Sequence, residues 1–355
     1  MPARQNTPLR RGRRLAALAL TTFALVTAAC GGDDGASSDG EATTIRLGYF
    51  ANVTHAPAIL GVDKGYFQDA LGEEFEIEVV TYNSGTEAIE ALLSGAIDAS
   101  FIGPNPAING FAKSDGTALR IVSGTTSGGA ALIVDDSISS PADLAGKRIA
   151  TPSLGNTQDV ALRAWLIEQG FTTDTAGGGD VAILPQDNAD TLATFIDGQI
   201  NGAWVPEPWA TRLVLEGGGK VLLNEAELWP EGRFVTTHLI VATEYLEDNP
   251  TVVENLLTGL VDTITYIEEN SDEAKAATND GIEAITTKRL ADATIDGAWE
   301  NLTFTLDPVA SSLQKSADDA IAVELLDPVD LDGIYDLDIL NKVLKDNGLD
   351  EVSAG

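Results

Sequence analysis

An internal repeat limits what this chain can fold into. EAIEALLSGAIDASFIGPNPA, from Glu87, returns as DTLATFIDGQINGAWVPEPWA, from Asp190. At a constant offset of 103 residues Gly95 pairs with Gly198, Ile97 with Ile200, Asp98 with Asn201 and Phe101 with Trp204. Each copy reads as a helix, a glycine turn, a buried strand and a Pro-x-Pro that opens another helix. Any two α/β units share apolar periodicity. Shared Gly and Pro-x-Pro punctuation points further, to two equivalent lobes. Open α/β sheets bind ligands beyond the carboxyl ends of their strands, where helices begin. Two such lobes imply a cleft between them.

The flanking pattern alternates in the same way. TIRLGYF, EFEIEVVTY, IDASFIG, ALRIVSG, KRIATP and VAILPQ read as strands. APAILGVDKGYF, GTEAIEALLSG, PNPAINGFAK and NTQDVALRAWLIEQG read as helices. SSPADLAG predicts a helix start, with Ser140 as N-cap, Pro141 in the first turn and Asp143 at the third position. Beyond about residue 244 the chain reads as mainly helical. The alternation predicts an α/β fold with mixed, mostly parallel sheets flanked by helices. GGAALIVDD and RFVTTHLIVA are candidate crossover strands. The expected lobes are therefore residues 44–134 with 236–355, and 135–235.

The N-terminus reads as a processing segment. RRGRR precedes the apolar run LAALALTTFALVTAA, which has signal-peptide length. The run ends at Cys30, the only cysteine, followed by GGDDGASSDGE. This resembles a bacterial lipoprotein signal, with Thr27 where that pattern usually has an aliphatic residue. The resemblance implies removal of the residues before Cys30, lipidation of Cys30, and a flexible tether over 31–43. The protein is then expected outside the cytoplasm, anchored to the outer face of the membrane by lipid alone.

With Cys30 acylated, the folded part has no thiol for a disulfide, a zinc–thiolate site or a nucleophile. Only His55 and His238 remain as imidazoles, so neither a metal nor a cofactor is expected. The net charge is −34, and processing would remove five arginines and no acids. Such a surface opposes nucleic-acid binding and adsorption to anionic lipid. Neither phosphate-loop nor dinucleotide fingerprints occur, and there is no G-x-S-x-G elbow.

Four strand-to-helix junctions carry small and polar residues: NVTHAP, GPNP, SLGNTQD and VPEPW. Free N–H groups and the positive dipole end at a helix start favour an anion. Asn52, Thr54, Asn105, Asn156 and Thr157 are candidate side-chain donors. Each alone reads as a simple N-cap; four junctions on one cleft read as a site.

LGYFANVTHAPAILGVDKGYF, SGTEAIEALLSGAIDASFIG, ADLAGKRIATPSLGNTQDVALRAWL and INGAWVPEPWA, in this order, resemble the solute-binding proteins of ATP-driven importers for aliphatic sulfonates, taurine, nitrate and thiamine-precursor pyrimidines. The resemblance runs from about residue 44 to 245. It implies a two-lobed periplasmic binding protein fold of type II with two hinge strands. It also implies a small-molecule ligand, a membrane permease with its ATPase as partners, a monomer and no catalysis. The cleft positions it implies are Asn52, Thr54, His55, Gly103, Asn105, Thr125, Thr126, Gly155, Asn156, Thr157, Trp204, Glu207 and Trp209. Glu207, fixed between Pro206 and Pro208, is expected to face a ligand amine, with the ligand's acid group near Asn156 and Thr157; taurine or an aminopyrimidine fits that expectation. The alternatives are a sensor that signals its liganded state, and an enzyme on the same fold. The latter finds no cysteine-rich motif and no paired acid and base.

Overall fold

The computed structural model describes residues 43–354; Cys30, the signal segment and nearly all of the tether lie outside them. Eleven strands occur among the described residues: β1 (Thr43–Phe50), β2 (Phe75–Tyr82), β3 (Ala99–Ile102), β4 (Leu119–Gly128), β5 (Ala130–Val134), β6 (Arg148–Thr151), β7 (Ala182–Pro185), β8 (Gly202–Pro206), β9 (Lys220–Asn224), β10 (Val235–Ala242) and β11 (Leu302–Phe304). Helices α1 (Ala56–Asp63), α2 (Tyr66–Leu71), α3 (Gly85–Leu93) and α4 (Pro104–Lys113) accompany the first strands. Next come α5 (Thr157–Glu168), α6 (Asn188–Ile196) and α7 (Trp209–Leu215). The C-terminal part holds α8 (Thr243–Asp248), α9 (Pro250–Glu269), α10 (Ser271–Thr286), α11 (Asp292–Glu300), α12 (Ala310–Ala322) and α13 (Asp338–Asp346).

The strands form two mixed sheets, β11-β4-β10-β3-β1-β2 and β7-β6-β8-β5-β9. In the first, β1 runs parallel to β2 and β3; in the second, β6 runs parallel to β7 and β8. The antiparallel pairs outnumber the parallel ones, five to four, so the sheets are mixed and not mostly parallel as expected. β10 opposes β3 and β4, and β5 opposes β8 and β9, because these strands arrive from the other sheet. The first passage is abrupt. Gly128 ends β4 and Gly129 alone separates it from β5, with φ of 82° and 76°, a region that favours glycine. A Cβ on Gly128 would also lie 2.7 Å from the Asn301 carbonyl oxygen.

The repeat has a structural counterpart. Helices α3 and α6 both end on left-handed glycines, Gly95 and Gly198, with φ of 72° and 66°. Just beyond, Asp98 Oδ2 accepts the Arg46 N–H at 2.7 Å, and Asn201 Oδ1 accepts the Arg148 N–H at 3.1 Å. In each half the polar residue after the glycine turn pins β1 or β6, and β3 or β8 is thereby set in register beside it.

The copies part at Pro-x-Pro. Pro104 begins α4 directly, whereas Pro206 still belongs to β8 and α7 begins only at Trp209. Two other expectations change in detail. SSPADLAG makes only one 3-10 turn, Pro141–Leu144, with its capping box formed; Gly146, at φ 73°, lies just beyond it. APAILGVDKGYF divides into α1 and α2 at Gly65, at φ 82°.

Both faces of both sheets are covered. Leu47 and Phe101 pack with Phe67 and with the stripe Val253, Leu256, Leu257, Leu260 and Ile264 of α9. That spacing is the apolar face of one long helix. Ile89, Ile102, Ile108 and Ile121 fill the opposite face. In the second sheet Leu132, Trp165 and Trp204 pack on one side, and Ile133, Phe195 and Leu213 on the other. Among the described residues no helix is long and apolar enough to cross a membrane.

Candidate functional site

A small cavity of about 40 Å³ lies where strand ends of both sheets meet helix starts. Asn52, Thr54 and His55 line it from the loop after β1, and Asn83, Ser84 and Gly85 from the loop after β2. Gly103, Asn156, Thr157, Gln158, Asn188 and Thr236 complete its polar wall. All but Thr236, which belongs to β10, lie at the N-terminal ends of α1, α3, α4, α5 and α6. Five helix starts thus turn their unpaired N–H groups and positive dipole ends toward one place. None of the described residues lining the cavity is an acid, a lysine or an arginine.

Local bonding fixes the donors. Asn52 Oδ1 accepts the Trp209 indole N–H at 3.0 Å, which leaves its NH₂ as the free end of the amide. His55 Nδ1 faces the Phe50 N–H at 3.4 Å, and the two ring centroids lie 4.4 Å apart with the planes tilted by 32°. With Nδ1 accepting, the ring proton belongs on Nε2. Burial pushes the His55 pKa down to about 3, so the ring is a neutral donor at pH 7. Asn156 Oδ1 caps α5 by accepting the Asp159 N–H at 3.1 Å. Asn188 is nine-tenths buried, yet its Oδ1 has no partner. The free end is an acceptor, so it is available to a hydrogen-bond donor of a ligand and not to an anion's oxygens.

Behind this wall a second set of groups holds the loops. Thr126 and Thr237 both donate their hydroxyls to the Thr54 carbonyl, at 2.7 and 3.2 Å. Thr125 donates to the Thr237 carbonyl at 2.9 Å. The buried Asp159–Arg163 ion pair, at 2.9 Å, sits beneath the loop before α5. There Asp159 accepts the Gly155 N–H at 2.9 Å and the Thr151 hydroxyl at 2.7 Å. Gly103 and Thr157 face each other across the two halves: a Cβ at Gly103 would stand 2.7 Å from Thr157 Oγ1.

The structure brings together Asn52, Thr54, His55, Gly103, Asn156 and Thr157. Thr125, Thr126 and Gly155 stand behind the wall, bonded as above. Asn105 is buried in α4 and gives its amide to the Ser316 carbonyl at 3.0 Å. Trp204 is fully buried in the second sheet and donates to Glu225 at 2.7 Å. Glu207 lines a different cavity, of about 310 Å³, with Thr211 and Asn301. Its carboxylate accepts the Thr211 N–H at 3.1 Å, the Thr211 hydroxyl at 2.9 Å and the Asn301 amide at 2.8 Å. It therefore caps α7. The physical reason is the later start of α7, which turns the residue after Pro206 toward its own helix. Burial raises the Glu207 pKa, against the pull of those three donors. Trp209 touches the site only through Asn52, and its ring carries the Arg212 guanidinium at 4.6 Å.

Five polar residues of the lining were not legible as site residues in the sequence: Asn83, Ser84, Gln158, Asn188 and Thr236. The signal was present in Ser84-x-x-Glu87, a capping-box pattern directly after a strand. Asn188 occupies the equivalent place in the second copy, 103 residues after Gly85.

Comparison with known proteins gives this arrangement a context. The chain is 28% identical to the taurine-binding periplasmic protein of Escherichia coli over 51% of its length, a match spanning about half (54%) of that relative. It is 22% identical to a Bacillus subtilis protein named for aliphatic sulfonate binding, over 93% of this chain and 97% of the other. The alkanesulfonate-binding protein of Xanthomonas axonopodis pv. citri, solved with MOPS bound, superposes with a TM-score of 0.67 at 22% identity, covering 81% of this chain and 95% of that one. At such identity the likeness is one of fold, and the fold is that of periplasmic binding proteins. The NMT1-like family pattern matches residues 38–279, well over half of the chain, and the chain belongs to that family.

Proposed function

We propose that this protein captures a small organic oxyanion, a sulfonate first among them, and delivers it to a membrane importer without changing it. The observation that carries the reading is the convergence of five helix starts on a cavity lined by neutral donors. Such a site holds a permanent monoanion by dipoles and hydrogen bonds alone. A small cavity of about 40 Å³ suits a compact head group. With Glu207 turned to α7, no carboxylate of the described lining awaits a ligand amine. The relatives named for taurine and sulfonates support the same class of ligand.

In this reading the chain works as two lobes, 44–134 with 236–355 and 135–235, that close on the ligand by bending at Gly128–Gly129 and at the return before β10. It acts as a monomer, tethered through a lipidated Cys30 and served by a permease and its ATPase. Replacing Cys30→Ser should release the protein from the membrane fraction with ligand affinity unaltered. The binding reading is tested by native mass spectrometry after incubation with a sulfonate: the expected result is one ligand per chain, recovered intact. A chemically altered product, formed catalytically, would refute it.

A further inference from the structure

The Glu207 cavity, of about 310 Å³, shares no lining residue with the anion cavity. One side is walled by β5 and β9 of the second sheet and by α7. The other side is α11, whose Ile295 and Ala298 pack in the core of the first sheet. Both glycines of the passage between the sheets adjoin its polar residues. A Cβ on Gly129 would lie 3.6 Å from Glu207 Cγ, and one on Gly128 2.7 Å from the Asn301 carbonyl oxygen. Ala131, Ile133, Val214, Leu215 and Val221 form an apolar wall. Leu215 and Val221 are 53% and 55% exposed, so this wall reaches the surface.

Glu207 is the polar end. It is 2% exposed, and the three donors that meet its carboxylate, from Thr211 and Asn301, are all neutral. No lysine, arginine or histidine is among the described residues of the lining, and a second carboxylate, that of Glu300, is exposed at its edge. A carboxylate buried without a cation is costly, and a cation that enters the same space relieves that cost. An anion there would be repelled by both acids.

We infer that this cavity is a second binding site, for an organic amine with an apolar body. Its volume is about twice that of a cavity that holds benzene, which gives room for roughly ten non-hydrogen atoms, or a body of about six to nine carbons. The ammonium group meets Glu207 and the body lies along the apolar wall. Ethylammonium leaves most of that wall uncovered and is not expected to bind. Because α7 and α11 face each other across the cavity beside Gly128–Gly129, an occupant stabilises this arrangement of the two sheets. A ligand whose binding also depends on the arrangement is then coupled to it reciprocally.

Titration calorimetry with benzylammonium, benzyl alcohol and benzoate tests this. Benzylammonium should bind one per chain, benzyl alcohol about tenfold more weakly or worse, the scale of one charged hydrogen bond, and benzoate not at all. Glu207→Gln, which keeps an acceptor for Asn301, should remove the advantage of benzylammonium over benzyl alcohol. Leu215→Lys, at an exposed position, sets a cation at the edge and should weaken benzylammonium while the melting temperature stays unchanged. Saturating benzylammonium should shift ethanesulfonate affinity, and ethanesulfonate should shift benzylammonium affinity by the same factor. Absent benzylammonium binding, equal affinity for the amine and the alcohol, or an amine affinity untouched by both variants overturns the site; additive binding overturns its link to the sheet arrangement. Benzylammonium binding by a protein that takes no sulfonate leaves this site standing and overturns the anion reading instead.

Discussion

Trp209 donates its indole N–H to Asn52 Oδ1 at 3.0 Å, joining the first residue of α7 to the loop that follows β1. One bond thus links the two sheets' elements beside the cavity and sets which end of the Asn52 amide is free. Trp209→Phe keeps a ring for Arg212 to cover and removes only the donor. Affinity for ethanesulfonate should fall about tenfold, the scale of one hydrogen bond to a buried amide. The melting temperature should change little. Unchanged affinity by calorimetry would show that the Asn52 amide does not depend on Trp209.

Glu207 joins α7 to the end of α11, a different link with a different role. Its carboxylate closes the start of α7 and reaches Asn301 at 2.8 Å. Glu207→Ala strands three donors and should cost on the order of 1–3 kcal/mol in chemical denaturation. Because Glu207 lies outside the anion cavity, taurine and ethanesulfonate affinities should shift by the same factor. A loss confined to taurine would mean that the carboxylate meets the ligand's amine after all.

Gly103 tests the approach of the two halves. Gly103→Ala places a methyl group 2.7 Å from Thr157 Oγ1, closer than real Cβ contacts come. Ligand affinity should drop about tenfold or more, with a smaller effect on stability. The combination with Thr157→Ala should be markedly non-additive, since the two share one contact. Strict additivity in the double-mutant cycle would separate the two residues.

Glu225 predicts a pH dependence. It is fully buried and accepts the Trp204 indole N–H at 2.7 Å; burial raises its pKa to about 7. A carboxyl raised in the folded state contributes stability that is complete below its unfolded pKa and is lost as pH rises through the folded one. Glu225→Gln keeps an acceptor for Trp204 and cannot ionise. It should exceed the parent protein in stability at pH 8, by up to about 3 kcal/mol, with the gap closing by about pH 4.5. His55 and His238, lowered by burial to about 3 and 4, act with opposite sign and cancel in the difference. Denaturant titrations across this range check it; a gap independent of pH contradicts it.

Much of the architecture was written in local punctuation. Gly95 and Gly198 mark the same left-handed helix end, and Asp98 and Asn201 the same clasp on a neighbouring strand, so the 103-residue offset carried two copies of one structure. Loops at helix starts were legible for the same reason: Asn52, Gly103 and Asn156 follow strands. What the sequence did not carry was facing. Asn105 lies two residues from Gly103 yet turns to Ser316, and Thr125 and Thr126 belong to a strand that supports the site from behind. The Pro-x-Pro pairs stand 102 residues apart inside a 103-residue repeat. That slip, with the late start of α7, carries Glu207 away from the cavity; Trp204, still in register with Phe101, is a core residue as Phe101 is. β11 was hidden for another reason: three residues are too few to show period-two alternation.

The central claim is that an anion is held by neutral donors and helix starts. Titration calorimetry of ethanesulfonate, with ethylammonium as its charge-reversed counterpart, tests it most directly. The account predicts saturable one-to-one binding of ethanesulfonate, no heat from ethylammonium, and equal ethanesulfonate affinity at pH 5.5 and pH 8 because His55 stays neutral across that range. Binding of ethylammonium without ethanesulfonate, or ethanesulfonate affinity that rises tenfold on acidification through pH 6.5, would contradict it.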